Sequence, residues 1–323
     1  MCTPLERRGI RRDIINIVSA SWRKSTKKQY SVYIKKWRRF CEKKKVNHMY
    51  SDVNDVLEFL SELYHTEKAG YSVINQARSA LSSFLTLSSF SVGNHPLICR
   101  FVKGVFNLRP PAPRYKEIWD VGPVFNYLRC MSPANSLSLK RLTLKLCMII
   151  ALTSAQRIQC LHRMKLDNMK LKNNSVTFCF GELIKLSRPG HIDYSVTMKA
   201  YPPDRRLCVV RYIREYIKRT SSLRGSEKQL LISYRRPHNS VTTQTIARWL
   251  KELLKSAGID TDKYKAHSTR AASTSAAKSS DLPVTGILEQ AGWSNERTFR
   301  TFYNKLRDNR MSFTEAVIKP ALV

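Results

Sequence analysis

The stretch AHSTRAASTSAAKSSDLPVTGILEQAGWSNERTFRTFYNK, residues 266–305, sets four chemically capable side chains into a largely helix-forming sequence. His267 and Arg270 are three positions apart, so both lie on one face of a predicted helix. Trp293 and Tyr303 follow about thirty residues on. A guanidinium can bond two phosphate oxygens, an indole N–H can donate to one, and a phenol can become a nucleophile. The alternative is a packed histidine, a surface arginine and two core aromatics.

Apolar periodicity extends the helical prediction outward from this stretch. Strands are predicted at 175–180 and 191–198, as a hairpin whose turn contains Pro189 and Gly190. Helices are predicted at 121–131, 138–152, 155–162, 207–220, 242–257, 267–279, 283–291, 296–303 and 312–318. The fold class is therefore mainly α with a small β-sheet, and this C-terminal domain is α+β.

The N-terminal part of the chain is predicted to be a helical bundle over residues 1–107. The predicted helix in STKKQYSVYIKKWRRFCEKKK, residues 25–45, has one apolar stripe formed by Tyr30, Ile34, Trp37 and Cys41. Three prolines at positions 110, 111 and 113 predict a linker at 108–117. The chain then continues as a second domain, 118–305, and a tail, 306–323.

The charge balance predicts a polyanionic partner. The 323 residues contain 57 Lys and Arg against 24 Asp and Glu, a net charge of +33. Nucleic acid is the leading candidate, and a membrane surface is the alternative. The longest apolar run, 144–153, contains Lys145 and is shorter than the roughly 20 residues that span a bilayer. We therefore expect no membrane partner and no small-molecule substrate.

Positive charge is concentrated near the N-terminus, where residues 1–45 hold fifteen basic side chains against three acidic ones. A solvated surface normally mixes both signs, so this face is predicted to contact a nucleic-acid backbone. The candidate contacts are Arg23, Lys24, Lys27, Lys28, Lys35, Arg38 and Arg39, with Arg188 in the hairpin turn.

The compartment is predicted from the cysteines and the N-terminus. The eight cysteines are scattered without C-x-x-C spacing, which indicates reduced thiols in the cytosol or nucleus. No apolar stretch follows MCTPLERRGIRRD, so no signal peptide is expected.

Two further residues complete a candidate site. Arg157, in ALTSAQRIQCL, can supply the second cation that a developing pentacoordinate phosphate needs, or it can be a surface arginine. Lys185, in GELIKLSRPG, can donate a proton near a mobile turn, or it can be one more backbone contact. The sequence has no phosphate-binding Gly-rich loop, no H-E-x-x-H and no obvious acidic triad for magnesium, so no cofactor is expected.

The order and spacing of six candidate residues resemble those of the catalytic residues in the tyrosine recombinases, the phage-integrase superfamily. The six are Arg157, Lys185, His267, Arg270, Trp293 and Tyr303. The phrases TSAQRIQCL, LLISYRRPH and YKAHSTRAASTSAAK look most like the eukaryotic branch of Crypton DNA transposons and DIRS-like retroelements. That resemblance implies a nuclear protein. It also implies a helical core-binding domain and a catalytic domain that together form a C-shaped clamp on double-stranded DNA.

The resemblance also implies the roles of the residues. Tyr303 would form a 3′-phosphotyrosyl bond and release a 5′-hydroxyl, while Arg157 and Arg270 would bind the non-bridging oxygens. Lys185 would protonate the leaving 5′-oxygen. His267 would assist proton transfer at the tyrosine and Trp293 would bond the phosphate, and neither metal nor ATP would be needed.

Two positions depart from the pattern of the family. Many members have an acidic residue three positions after the first arginine, where this chain has Cys160, so the support of Arg157 is an open question. Trp293 stands where many members have histidine, which moves proton transfer onto His267 and Lys185.

Family resemblance further implies a tetramer on two DNA duplexes, with the segment after the tyrosine docked on a neighbouring subunit. The tail carries Phe313, Val317 and Ile318 at helical spacing, which suits such a helix or one packed on its own subunit. Two other functions remain open: relaxation of one duplex by a type IB topoisomerase, and DNA binding without cleavage by a domesticated protein. The sequence does not specify the DNA target.

Overall fold

The computed structural model describes residues 9–87, 90–112, 114–181, 187, 194–304 and 306–307. The chain divides into two compact units, Met1–Pro113 and Arg114–Val323. The predicted linker, 108–117, spans the point of division. The predicted tail helix, 312–318, lies outside the described residues.

The first unit is a bundle of helices. Its helices are α1 (Arg12–Ala20), α2 (Lys24–Lys44), α3 (Val53–His65), α4 (Tyr71–Ser82) and α5 (Pro96–Leu108). Two-residue strands β1 (Thr86–Leu87) and β2 (Phe90–Ser91) pair antiparallel between α4 and α5. The start of α3 is fixed by a capping box, in which Asp52 and Asp55 each accept the other's backbone N–H.

The core of this unit forms around aromatic rings on α2 and α3. Trp37 and Cys41, both predicted to face inward, are buried, and Phe40 is buried beside them. The Trp37 ring stacks on Phe40 and meets Phe59 edge to face, with centroids 5.6 and 5.3 Å apart. This packing leaves the basic side of α2 facing outward.

The second unit is built around one buried helix. Its helices are α6 (Val121–Cys130), α7 (Leu139–Ser154), α8 (Ile158–His162), α9 (Val209–Thr220), α10 (Thr243–Ser256), α11 (Ser268–Ser279), α12 (Val284–Ala291) and α13 (Glu296–Phe302), with a 3₁₀ turn at Ala134–Ser136. Helix α7 is buried along almost its whole length and packs against α9, α10 and α11. The helices predicted within the described residues of this unit agree to within two residues at each end, except 155–162, which begins at Ile158.

A three-stranded antiparallel sheet lies beside these helices, in the order β4 (Met169–Leu171), β5 (Ser175–Phe180) and β6 (Tyr194–Lys199). Its register pairs Phe180 with Tyr194 at one end of the β5–β6 hairpin and Ser175 with Lys199 at the other. The predicted strand at 175–180 is confirmed. The one predicted at 191–198 is described only from Tyr194, and β4 was not predicted because three residues give no alternation.

One strand pair joins the two ends of the second unit. Strand β3 (Glu117–Ile118) pairs in parallel with β7 (Leu306–Arg307), so that Glu117 lies opposite Leu306. No helix among the described residues is long and apolar enough to cross a bilayer.

Lys145 is a fully buried cation on α7. Its ammonium donates to the backbone carbonyl oxygens of Leu128 and Met131 and to the Tyr212 hydroxyl, at 2.7, 2.6 and 2.6 Å. Burial lowers its pKa from 10.5 to about 7.

We expect this lysine to make stability depend on pH. Between about pH 7 and pH 10 the unfolded chain holds a proton that the folded chain has released, so stability rises with pH. The free energy of unfolding should rise by about 2 kcal/mol more between about pH 7 and pH 9 in the parent than in Lys145→Met, measured by urea denaturation. Lys140→Met, on the exposed side of α7, should keep the parental slope; an equal slope in Lys145→Met would contradict the expectation.

Candidate active site

The first turn of α11 presents two of the predicted site residues. His267 is the N-terminal cap residue of α11 and is exposed, whereas Arg270, one turn later, is only 2% exposed. A buried bond fixes this end of the helix, because the Trp119 indole N–H donates to the Ser268 hydroxyl at 2.8 Å. Ser273 donates to the Leu152 carbonyl and ties α11 to the end of α7.

Tyr303 is held from two sides at the end of α13. Its hydroxyl lies 3.3 Å from Nε2 of His267, within hydrogen-bond distance. Its backbone carbonyl accepts a bond of 2.7 Å from the Ser275 hydroxyl of α11. Phe299, one turn earlier, is buried and anchors α13. The phenol is thus directed toward the face of α11 that carries His267.

Trp293 follows the C-terminal turn of α12, where Gly292 takes a left-handed conformation with φ of 67°. Its ring centroid lies 4.5 Å from that of Tyr303 and 4.4 Å from the guanidinium carbon of Arg270. Trp293 is 8% exposed. Trp293 is therefore a packed aromatic residue, and it also contacts Arg270 and Tyr303, two of the other predicted site residues.

Arg157 enters the site from the loop between α7 and α8. Helix α7 ends at Ser154, Ala155 takes a left-handed conformation with φ of 51°, and Arg157 caps α8 in an extended conformation. Its side chain is half-buried. Burial, and then the neighbouring charge of Arg157, lower the pKa of Arg270 to about 10, so the Arg270 guanidinium is still charged at neutral pH.

Several buried donors in this cluster have no partner among the described residues. They are Nη1 of Arg157, Nε and Nη1 of Arg270, and the indole nitrogen of Trp293. Arg270 uses Nη2 to donate to the Ala291 carbonyl at 2.8 Å. Buried donors are nearly always paired, and three guanidinium donor atoms beside an indole N–H suit an oxyanion. No group of His, Cys, Asp or Glu that could hold a metal occurs in the described part of the chain.

Two predicted residues, Lys185 and Arg188, lie outside the described residues, in the segment between β5 and β6. Their proposed contacts stay predictions. The remaining catalytic candidates all belong to the second unit: Arg157, His267, Arg270, Trp293 and Tyr303. The last four contact one another, and Arg157 lies close enough for its charge to act on Arg270.

The other basic candidates lie in the first unit, on or next to α2. All except the half-buried Lys27 are exposed: Arg23, Lys24, Lys28, Lys35, Arg38 and Arg39. Described ion pairs of this helix involve different lysines, Lys36 with Glu67 and Lys44 with Glu58. The basic side of α2 is therefore available to a nucleic-acid backbone.

Trp119 contributes to this site, although its sequence context gave no sign of it. We expect Trp119→Phe to lower the free energy of unfolding by about 1–3 kcal/mol, because it leaves the buried Ser268 hydroxyl unpaired. Urea denaturation measures the loss. Adding Ser268→Ala should recover part of it, since the double variant removes the unpaired hydroxyl; a fully additive double variant would contradict the role of the bond.

Two parts of the chain match known protein families. Residues 125–310 match the model of the phage integrase family, and residues 14–87 match a phage integrase N-terminal SAM-like domain. The chain belongs to the phage integrase family. It is accordingly a member of the tyrosine recombinases, which are DNA strand-transferring enzymes.

Solved structures share this fold at low sequence identity. XerH site-specific recombinase bound to a palindromic difH substrate is 13% identical, with 84% of this chain and 74% of that chain covered and a TM-score of 0.59. A dimer of lambda integrase(75-356) bound to a COC′ core site is 14% identical, covering 97% and 98%, with a TM-score of 0.57. The Tn1549 transposon integrase in complex with transposon right end DNA is 13% identical, covering 84% and 85%, with a TM-score of 0.52. No curated protein sequence matches the chain.

Proposed function

We propose that this protein is a site-specific DNA recombinase that cuts and rejoins DNA through a 3′-phosphotyrosyl intermediate on Tyr303. The observation that carries the proposal is the cluster of unpaired donors on Arg157, Arg270 and Trp293 around a tyrosine that lies 3.3 Å from His267. The cluster suits a phosphodiester oxyanion, and the Tyr303 ring lies beside two of the donor groups, 4.5 Å from the Trp293 ring and 5.4 Å from the guanidinium carbon of Arg270.

In the proposed cleavage step, the phenolic oxygen of Tyr303 forms a bond to phosphorus and the bond from phosphorus to the 5′-oxygen breaks. A free phenol has a pKa of about 10, so its proton must leave as it attacks. Nε2 of His267 accepts that proton, and the arginines stabilise the charge that develops on the non-bridging oxygens. Lys185 donates a proton to the 5′-oxygen, and the resulting 5′-hydroxyl is free.

Rejoining is the same step in reverse. A 5′-hydroxyl attacks the phosphotyrosine, which restores a phosphodiester and returns the proton to Tyr303. The phosphotyrosyl bond preserves the phosphodiester energy, so the reaction needs neither ATP nor a metal. When the attacking hydroxyl belongs to a second duplex, strands are exchanged.

The assembly and origin are part of the same proposal. The basic side of α2 holds the backbone of double-stranded DNA through charge, and four subunits act on two duplexes. A structurally similar lambda integrase is a tetramer bound to a Holliday junction. The tail beyond β7 docks on a neighbouring subunit, and the protein acts in the nucleus as the product of a Crypton-like or DIRS-like element, as the motif resemblance suggests.

A suicide substrate nicked near the cleavage site tests the proposal. The expected result is a covalent protein–DNA adduct with a free 5′-hydroxyl, seen by denaturing electrophoresis. Absence of an adduct on every duplex offered from the source element would favour DNA binding without cleavage.

Product analysis then separates recombination from topoisomerase action, which shares the cleavage chemistry. Segments joined from two differently labelled duplexes are expected. Relaxation of supercoiled DNA without joined products would instead identify a type IB topoisomerase activity.

A further inference from the structure

Gln156, the residue before Arg157, is a buried side chain that joins three segments of the second unit. It is 4% exposed. Its amide nitrogen lies 2.6 Å from the carbonyl oxygen of Gln290, 2.9 Å from the hydroxyl of Tyr194 and 3.3 Å from the carbonyl oxygen of Ser154. These partners belong to the end of α12, the start of β6 and the end of α7.

The orientation of this amide follows from its partners. Two of them are backbone carbonyl oxygens, which only accept, so the nitrogen of the amide must face them. Gln290 also bonds in the opposite direction, because its side-chain amide nitrogen donates to the Thr153 carbonyl oxygen of α7 at 3.3 Å. The end of α7 and the end of α12 are therefore joined by a reciprocal pair of glutamines.

Each joined segment leads directly to a group of the candidate active site. The end of α7 continues through Gln156 into Arg157. Next to Gln290, the Ala291 carbonyl accepts the bond from Arg270, and Trp293 follows. Gln156 is thus placed to fix the distance between the two arginines.

A positioning residue is needed because the expected acidic support of Arg157 is missing. Cys160 occupies that place, its thiol is buried, and burial raises its pKa. A neutral thiol cannot form an ion pair with a guanidinium. A different group must therefore hold the loop that carries Arg157.

We propose that Gln156 is the positioning residue of the Arg157–Arg270 pair, with the Tyr194 hydroxyl as its side-chain partner. It replaces the missing carboxylate by fixing the backbone on which Arg157 stands, rather than by pairing with the guanidinium. This inference rests on the proposed cleavage reaction for its effect on rate. The junction that Gln156 forms between α7, α12 and β6 does not depend on that reaction.

Single-turnover cleavage of a nicked suicide substrate measures the effect on rate. Gln156→Leu keeps the volume and removes the donor, so cleavage should be about 30- to 100-fold slower, while DNA affinity changes less than about twofold. Tyr194→Phe removes one of the three acceptors and should slow cleavage about 3- to 10-fold. The double variant should be no slower than Gln156→Leu alone, because the partner is already lost.

Gln159→Leu is the matched control, since Gln159 is exposed on α8, the short helix that follows Gln156 and Arg157. It should cleave at the parental rate. A Gln156→Leu variant that also cleaves at the parental rate would overturn the proposal, as would one that loses affinity and rate together. Additive effects in the double variant would refute Tyr194 as the partner.

Hydrogen–deuterium exchange of the DNA-free protein tests the junction without any activity. Gln156→Leu should exchange faster than the parent in peptides covering both 152–161 and 286–293, and Gln159→Leu in neither. Unchanged exchange in Gln156→Leu refutes the junction even if the protein cleaves DNA. If the parent forms no adduct, the proposed function fails, and exchange still decides whether Gln156 joins these segments.

Discussion

Tyr303→Phe is expected to form no covalent adduct with a nicked suicide substrate, a loss of at least about 10⁴-fold in cleavage, because no other group takes the place of an absent nucleophile. The ring remains, so its packing at 4.5 Å against Trp293 is kept and DNA binding should change less than about twofold. Denaturing electrophoresis of labelled DNA measures the adduct, and a mobility-shift assay measures binding.

Tyr264→Phe is the matched control for this experiment. Tyr264 is buried against Tyr115, and its hydroxyl has no partner among the described residues, so its removal should leave adduct formation at the parental level. An adduct in Tyr303→Phe equal to that of the parent would assign the nucleophile to another residue. Peptide mapping of the adduct would then identify it.

Arg270→Lys is expected to slow cleavage by about 10³-fold near pH 7.5, nearly as much as Arg270→Ala. An ammonium cannot bond the Ala291 carbonyl and still offer two fixed N–H donors to a phosphate, as the Arg270 fork can. Burial and Arg157 lower the pKa of Arg270 to about 10, which leaves the arginine charged at neutral pH. A lysine starts from a lower pKa and should lose its charge near about pH 8 in the same surroundings.

The cleavage rate of Arg270→Lys should also depend on pH differently from that of the parent. As pH rises from about 6.5 to 9, the rate of Arg270→Lys should fall relative to the parent, since the lysine loses its proton within this range and the arginine keeps its own. Arg219→Lys, in which a half-buried arginine also donates to a backbone carbonyl, serves as the control and should follow the parent. A ratio of variant to parent rates that stays constant with pH would contradict the argument from burial.

The sequence predicted the parts of the site that carry distinctive chemistry. Arg157, His267, Arg270, Trp293 and Tyr303 were selected because cations, an indole and a phenol in that order suit a phosphate, and the structure brings their side chains together. Their catalytic roles stay predictions. Helix bounds were also predictable, because apolar periodicity and capping residues are local signals.

The supporting contacts could not be predicted, since they join neutral residues that are distant in sequence. Trp119 and Ser268 are 149 positions apart, and Gln156 and Tyr194 are 38 apart. Neither pair has a charge or a spacing that suggests contact. The pairing of β3 with β7 was also missed, because two-residue strands contain no periodicity.

That strand pair has a consequence for how the protein can vary in evolution. Tyr303 is followed closely in the chain by β7, which pairs with β3, and β3 is followed by Trp119. Trp119 donates to Ser268, whose neighbour His267 lies within hydrogen-bond distance of the Tyr303 hydroxyl. Tyr303 and His267 therefore belong to a closed ring of chain segments and hydrogen bonds. The ring passes through the backbone between Tyr303 and Leu306. An insertion or deletion there would shift the register of β7, so selection should conserve the length of this segment more strictly than its composition.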